Sequence, residues 1–212
     1  MTGSVAGDET ASDALAELGA KLIEHRGRIP SNGFRVREQN LVHQGSVVGF
    51  YDLVISDRNG EQFHRDVIRH PGAVSVVPFD GENVILVQQY RASIDADMLE
   101  IPAGKRDVDG ERPETTAHRE LAEEVGFEAE SVELLANMHH SPGFCDEYGY
   151  VFLATGLSPV SNRPEGPEEQ AMSVHSIPLD EAVAMCLDGS ITDSKTLIGL
   201  LSLAARRSGS RG

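Results

Sequence analysis

Glu120, Glu123 and Glu124 stand at i, i+3 and i+4 in a segment that reads as a helix over 113–125, so three carboxylates share one face. None has a lysine or arginine three or four residues further on. Like charges at this spacing destabilise an isolated helix by roughly 0.2–0.5 kcal/mol per pair. The cluster also falls in the last turn before Gly126, a helix stop, where the macrodipole favours cations. Such a face is either a solvated acidic surface or a place where a cation binds. A hard divalent ion with oxygen ligands fits, and Mg²⁺ is the usual choice for phosphate chemistry.

The surrounding residues decide between these readings. The run Glu111-x7-Arg119-Glu120-Leu121-x-Glu123-Glu124-x-Gly126-Phe127, preceded by Ala103-Gly104, resembles the Nudix box of the Nudix hydrolases. That box reads Gly-x5-Glu-x7-Arg-Glu-U-x-Glu-Glu-x-Gly-U, where U is a large aliphatic residue. The spacing departs from it in one place: six residues separate Gly104 from Glu111, and Gly110 holds the strict glutamate position. The extra residue lies in the loop before the helix, where insertions cost little.

The resemblance implies Mg²⁺, with Mn²⁺ as a substitute, held by Glu120 and Glu124, with Glu123 close behind and the Ala103 carbonyl as a further ligand. It implies an orienting salt bridge for Arg119 and an organising role for Glu111. Gly104 and Gly126 are expected to be backbone devices, a tight turn and a helix stop.

Two further runs resemble the ADP-ribose and nucleoside-diphosphate-sugar branch. Gln89-Tyr90-Arg91 and Glu100-Ile101-Pro102-Ala103-Gly104 lead into the box, and Ser141-Pro142-Gly143-Phe144-Cys145-Asp146-Glu147 lies between two strands. By this likeness Arg91 would offer a guanidinium to the diphosphate or terminal ribose, which suits phosphate oxygens. Glu100 would act on the metal side or accept a substrate hydroxyl, and Arg69 is a second cation. The general base is expected among Glu147, Glu169 and Glu168, in that order. With no tryptophan in the chain, an adenine clamp would fall to residues such as Phe34, Phe50 or Tyr51, each of which reads more readily as a packing residue.

These groups need a scaffold. Strand-like runs occupy 34–37, 47–56, 62–69, 74–78 and 84–90, separated by turn signals at Asp57-Arg58-Asn59-Gly60 and Asp80-Gly81-Glu82-Asn83. After the box helix, 132–138, 148–155 and 172–177 read as strands, and 179–187 and 193–207 as helices. Residues 1–11 read as a polar tail, 12–25 as a helix with an apolar stripe, 27–33 as a linker and 162–169 as an acidic loop. Mixed strands with a few helices imply an α+β fold, an α/β/α sandwich, as does the resemblance. The expected division is 1–33 tail and helix, 34–72 a small N-terminal antiparallel sheet, which the resemblance implies is exchanged across a homodimer, and 73–212 the hydrolase domain.

Composition excludes other classes. With 34 acidic and 18 basic residues the formal charge is −16, which argues against a nucleic-acid surface. An anionic substrate must then be drawn in by local cations against the global field. Two cysteines make no disulfide framework and suit a reducing cytoplasm. No apolar run approaches the roughly 20 residues of a membrane span, and the first residues lack a signal-peptide core. The reaction that the resemblance implies is Mg²⁺-dependent hydrolysis of ADP-ribose to AMP and ribose 5-phosphate, or of a related nucleotide sugar. The alternatives are a Nudix enzyme of dinucleotides or oxidised triphosphates, and a catalytically silent binding module.

Overall fold

The computed structural model describes residues 33–108, 110–161 and 170–209. The expected tail, leading helix and acidic loop, with Glu168 and Glu169, lie outside the described residues. The chain divides into two compact units, 1–41 with 51–66, and 42–50 with 67–212.

Strands β1 (Arg35–Gln44), β2 (Gly49–Ser56) and β3 (Gln62–Arg69) form a sheet in the order β1-β2-β3. The turn between β2 and β3 follows its sequence signal: Asp57 Oδ1 accepts the N–H groups of Asn59 (2.8 Å) and Glu61 (2.9 Å). β1 is longer than the 34–37 expected. All ten of its residues are exposed, so no buried face imposes an apolar alternation that the sequence could reveal.

In the second unit, β4 (Ala73–Pro78) and β5 (Asn83–Arg91) carry the core. Around them stand β6 (Ala96–Glu100), β7 (Ala103–Lys105), β8 (Phe127–His139), β9 (Tyr148–Pro159) and β10 (Ser173–Pro178). The sheet orders are β10-β5-β6 and β7-β4-β9-β8, with β4 and β9 parallel. Helices α1 (Pro113–Val125), α2 (Leu179–Asp188) and α3 (Ser194–Gly209) cover them. β6 and β7 are additions to the expected strands, too short at five and three residues to show periodicity. β8 is longer than expected, and a register shift between Leu134 and Ala136 breaks its alternation.

Successive residues of β4 and β5 point to opposite sides. Val74, Val76, Ile85 and Val87 meet Ala117, Leu121 and Val125 of α1. Val77, Val84 and Leu86 meet Leu179 and Ala182 of α2 and Leu200 and Leu203 of α3. A strand covered on both faces needs a continuous apolar run, which Val84-Ile85-Leu86-Val87 supplies. The fold is thus the expected α/β/α sandwich with an additional N-terminal antiparallel sheet.

Candidate metal and diphosphate site

α1 begins and ends where its sequence says. Pro113 occupies the first turn, where its missing N–H costs nothing, and Gly126 closes the helix at φ 70° with its N–H on the Ala122 carbonyl. Ala117, Leu121 and Val125 form the apolar stripe that seats the helix on the sheet. Leu121 is fully buried, and its truncation to alanine would cost about 2–5 kcal/mol. That stripe fixes the helix rotation. It carries Glu120 and Glu124, one position before Leu121 and Val125, into the protein, where each is only 7% exposed.

Both carboxylates meet β7. Glu124 Oε2 accepts the Ala103 N–H at 3.0 Å. Glu120 lies over Gly104 so closely that a Cβ there would fall 1.8 Å from its Oε1. Gly104 is therefore a strand residue, not the expected tight turn, and its lack of a side chain makes room for the carboxylate.

Arg119 relieves the like charges from the N-terminal side. Its Nη1 stands 2.8 Å from Glu120 Oε1 and donates to Glu123 Oε2 at 3.1 Å. Its Nη2 reaches Glu111 Oε2 at 3.4 Å, and that same oxygen accepts the Thr116 hydroxyl at 2.7 Å. Burial opposes the charge on Arg119, but Glu111, Glu120 and Glu123 outweigh it and raise its pKa above the usual value. The Thr116 hydroxyl first, then Arg119, holds the Glu111 carboxyl below its ordinary value.

Among the described residues no three acidic, histidine or cysteine side chains make a closed metal-ligand set. The arrangement nevertheless suits a hard cation, because two nearly buried carboxylates converge on a backbone strand across a glycine-made gap.

The 141–147 loop is pinned to the end of β3. Asp146 Oδ1 accepts the His70 N–H (2.9 Å), and Oδ2 accepts from Arg69 Nη1 (3.1 Å). Ile68 and Cys145 add a parallel bridge. Arg69 thus holds the loop that bears Glu147. Glu147 Oε1 lies 3.9 Å from His70 Nδ1 and 3.8 Å from His140 Nε2, beyond hydrogen-bonding reach. Burial pushes the Cys145 thiol up, away from nucleophilic use.

Arg91 and Glu100 are brought together: Arg91 Nε donates to Glu100 Oε1 at 2.6 Å, and Nη2 bonds the other oxygen. Glu100 is 1% exposed and also accepts from Lys195, so its oxygens serve the chain's own cations rather than a substrate hydroxyl. The Glu100 hydrogen bond raises the pKa of Arg91, and the charges of Asp193 and Glu124 act in the same direction. Lys195 escaped the sequence reading. Its one signal is a cation in the first turn of a helix, where the macrodipole disfavours it. Of the proposed base clamps, Phe34 packs edge-on against Phe63 at 6.1 Å.

The NUDIX domain description matches residues 69–197. The chain is 41% identical over 143 residues to the methanol dehydrogenase activator of Bacillus methanolicus, covering 67% of this chain and 77% of that one. It is 37% identical over 178 residues to the ADP-ribose pyrophosphatase of Mycobacterium tuberculosis (strain ATCC 25618 / H37Rv), covering 83% and 86%. A solved structure of an ADP compounds hydrolase superposes with a TM-score of 0.74 at 20% identity, covering 86% of this chain and 98% of that one. At that identity the superposition speaks for the fold, while the matched domain and the relatives carry the descent: the chain belongs to the Nudix hydrolase family.

Proposed function

We propose that the protein hydrolyses the diphosphate bond of ADP-ribose, or of a closely related nucleoside-diphosphate sugar, with Mg²⁺. The observation that carries the reading is the pair of nearly buried carboxylates, Glu120 and Glu124, turned onto the Ala103–Gly104 strand. The likeness to an ADP-ribose pyrophosphatase along most of both chains supports the substrate class.

Glu120, Glu124 and the Ala103 carbonyl would hold the ion, with Glu123 beside them. The ion would supply charge neutralisation at phosphoryl oxygens and a lowered pKa for water. Arg119 and Glu111 hold the carboxylate face in register. Arg91 offers the outer side of its guanidinium to the diphosphate, a local cation in a chain of net charge −16. Glu147 takes the proton as the water oxygen bonds to phosphorus and the P–O bond of the leaving phosphate breaks. Glu168 and Glu169 remain alternative bases outside the described residues. The products from ADP-ribose are AMP and ribose 5-phosphate.

A homodimer through the β1–β3 sheet belongs to the same reading. Val36 and Val42 are exposed on one face of β1 and Leu41 on the other, apolar side chains that a second chain would cover. Light scattering at twice the chain mass is the expected result, and a monomer would remove this part. Two unpaired cysteines accord with a reducing cytoplasm.

The test is a panel of ADP-ribose, GDP-mannose, a dinucleotide and an oxidised nucleoside triphosphate, each with Mg²⁺. The highest kcat/KM on ADP-ribose or GDP-mannose supports the reading. A preference for the dinucleotide or the triphosphate would replace it.

A further inference from the structure

Lys195 is a buried cation that the chemistry above leaves unused. Its side chain is 9% exposed and sits between two carboxylates, hydrogen-bonded to Glu100 Oε2 and 3.0 Å from Asp193 Oδ2. A charge taken this far from water costs several kcal/mol unless it is paired. Here the pairing is balanced, with Glu100 and Asp193 against Lys195 and Arg91.

The first turn of α3 grips the strand end before the box at two points. Asp193 is the helix N-cap, its Oδ2 accepting both the Thr196 N–H (2.9 Å) and the Thr196 hydroxyl (2.6 Å). The Thr196 hydroxyl oxygen in turn accepts the Ile101 N–H at 2.9 Å. One contact holds the Glu100 side chain and the other holds the backbone of the next residue. Two residues on, Ala103 donates to Glu124. On the far side of Glu100 lies Arg91, held side-on by both carboxylate oxygens and still 38% exposed. Burial opposes the ionised form of Asp193, yet Lys195 and Thr196 keep its carboxyl below the usual range.

We propose that Lys195 is a positioning residue for the diphosphate site: by fixing Glu100 from behind, it sets the direction in which Arg91 presents its guanidinium. This rests on the reading of Arg91 as the cation that meets the diphosphate. A carboxylate with one cation is free to turn and take that cation with it. A carboxylate clamped between two cations has one orientation. Lys195 therefore acts on substrate through Glu100 and Arg91, without touching it.

The experiment compares wild type, Lys195→Met, Arg91→Ala and the Lys195→Met/Arg91→Ala double variant. Lys195→Met is expected to raise KM for ADP-ribose about 10-fold with kcat changed less than about 3-fold, the signature of lost binding rather than lost chemistry. In the Arg91→Ala background the same substitution is expected to add nothing. Full additivity would overturn the proposal, because a purely structural lysine would weaken both backgrounds equally.

Where Lys195→Met fails to fold, Lys195→Met/Glu100→Gln removes the orphaned charge. KM stays high there if positioning is the role, and recovery of wild-type KM overturns it. The Arg91 Nε–H resonance, assigned by its loss in Arg91→Lys, gives a readout independent of turnover. It is expected to be shifted and slow to exchange in wild type and fast to exchange in Lys195→Met. An unchanged resonance overturns the proposal. Wild type that leaves ADP-ribose intact overturns the functional reading, and the resonance then decides the positioning claim alone.

Discussion

The Glu124 carboxylate accepts the backbone N–H of Ala103 at 3.0 Å, joining the last turn of α1 to the strand that precedes the box loop. One Glu124 oxygen is thereby spent on fixing the carboxylate against Ala103. The neighbouring residue, Gly104, leaves the room in which Glu120 lies. Helix, strand and carboxylates form one unit whose geometry depends on an absent side chain.

Gly104→Ala tests that dependence. The new methyl would meet the end of a flexible carboxylate rather than backbone, so Glu120 can swing away. Stability is expected to fall by no more than about 1 kcal/mol, while kcat falls about 10²-fold, as displaced charge clamps do. Thermal unfolding and turnover measured on one preparation check this. Full activity in the variant would show that the Glu120 position is not used.

The Glu111 carboxyl is held below its ordinary value of 4.5, chiefly by the Thr116 hydroxyl and then by Arg119. A group whose folded value is depressed contributes stability above its unfolded value and loses it as pH falls through the folded one. The Tm advantage of wild type over Glu111→Gln should therefore be full above about pH 5 and shrink as the pH falls through the depressed folded value. A difference that grows on acidification would contradict the assignment.

Asp146 clamps the 141–147 loop through His70 and Arg69, both at the end of β3. The ion pair is about one-third exposed, so its own contribution to stability is below about 1 kcal/mol. Asp146→Ala should therefore leave Tm nearly unchanged and lower kcat about 10-fold by releasing Glu147. An equal loss of Tm and activity would point to folding, and unchanged kcat would free Glu147 from the proposed role.

What the sequence made legible follows from local chemistry. Pro113 and Gly126 punctuate α1, so its bounds of 113–125 could be read directly, and the acidic face came with its register. The run 84–90 read as a strand, and the structure adds that Val84 to Val87 are buried on both of its faces. The resemblance implied an orienting salt bridge for Arg119, and the structure supplies Glu123, Glu120 and Glu111 as its partners. Long-range pairing was hidden. Glu100 and Lys195 are 95 residues apart, and no local pattern records that one buried charge answers another. Gly104 read as a turn because the cause of its glycine, the Glu120 carboxylate, is supplied by a helix further along the chain. β1 was cut short because an exposed strand carries no alternation.

The most direct test is ADP-ribose hydrolysis by wild type and Glu124→Gln, each with Mg²⁺ and with EDTA, with products separated by ion exchange. AMP and ribose 5-phosphate are expected from wild type with Mg²⁺ only, and at least about 10²-fold lower kcat from the folded variant. Equal turnover in EDTA, or near-normal Mg²⁺-dependent turnover by Glu124→Gln, would contradict the proposed function.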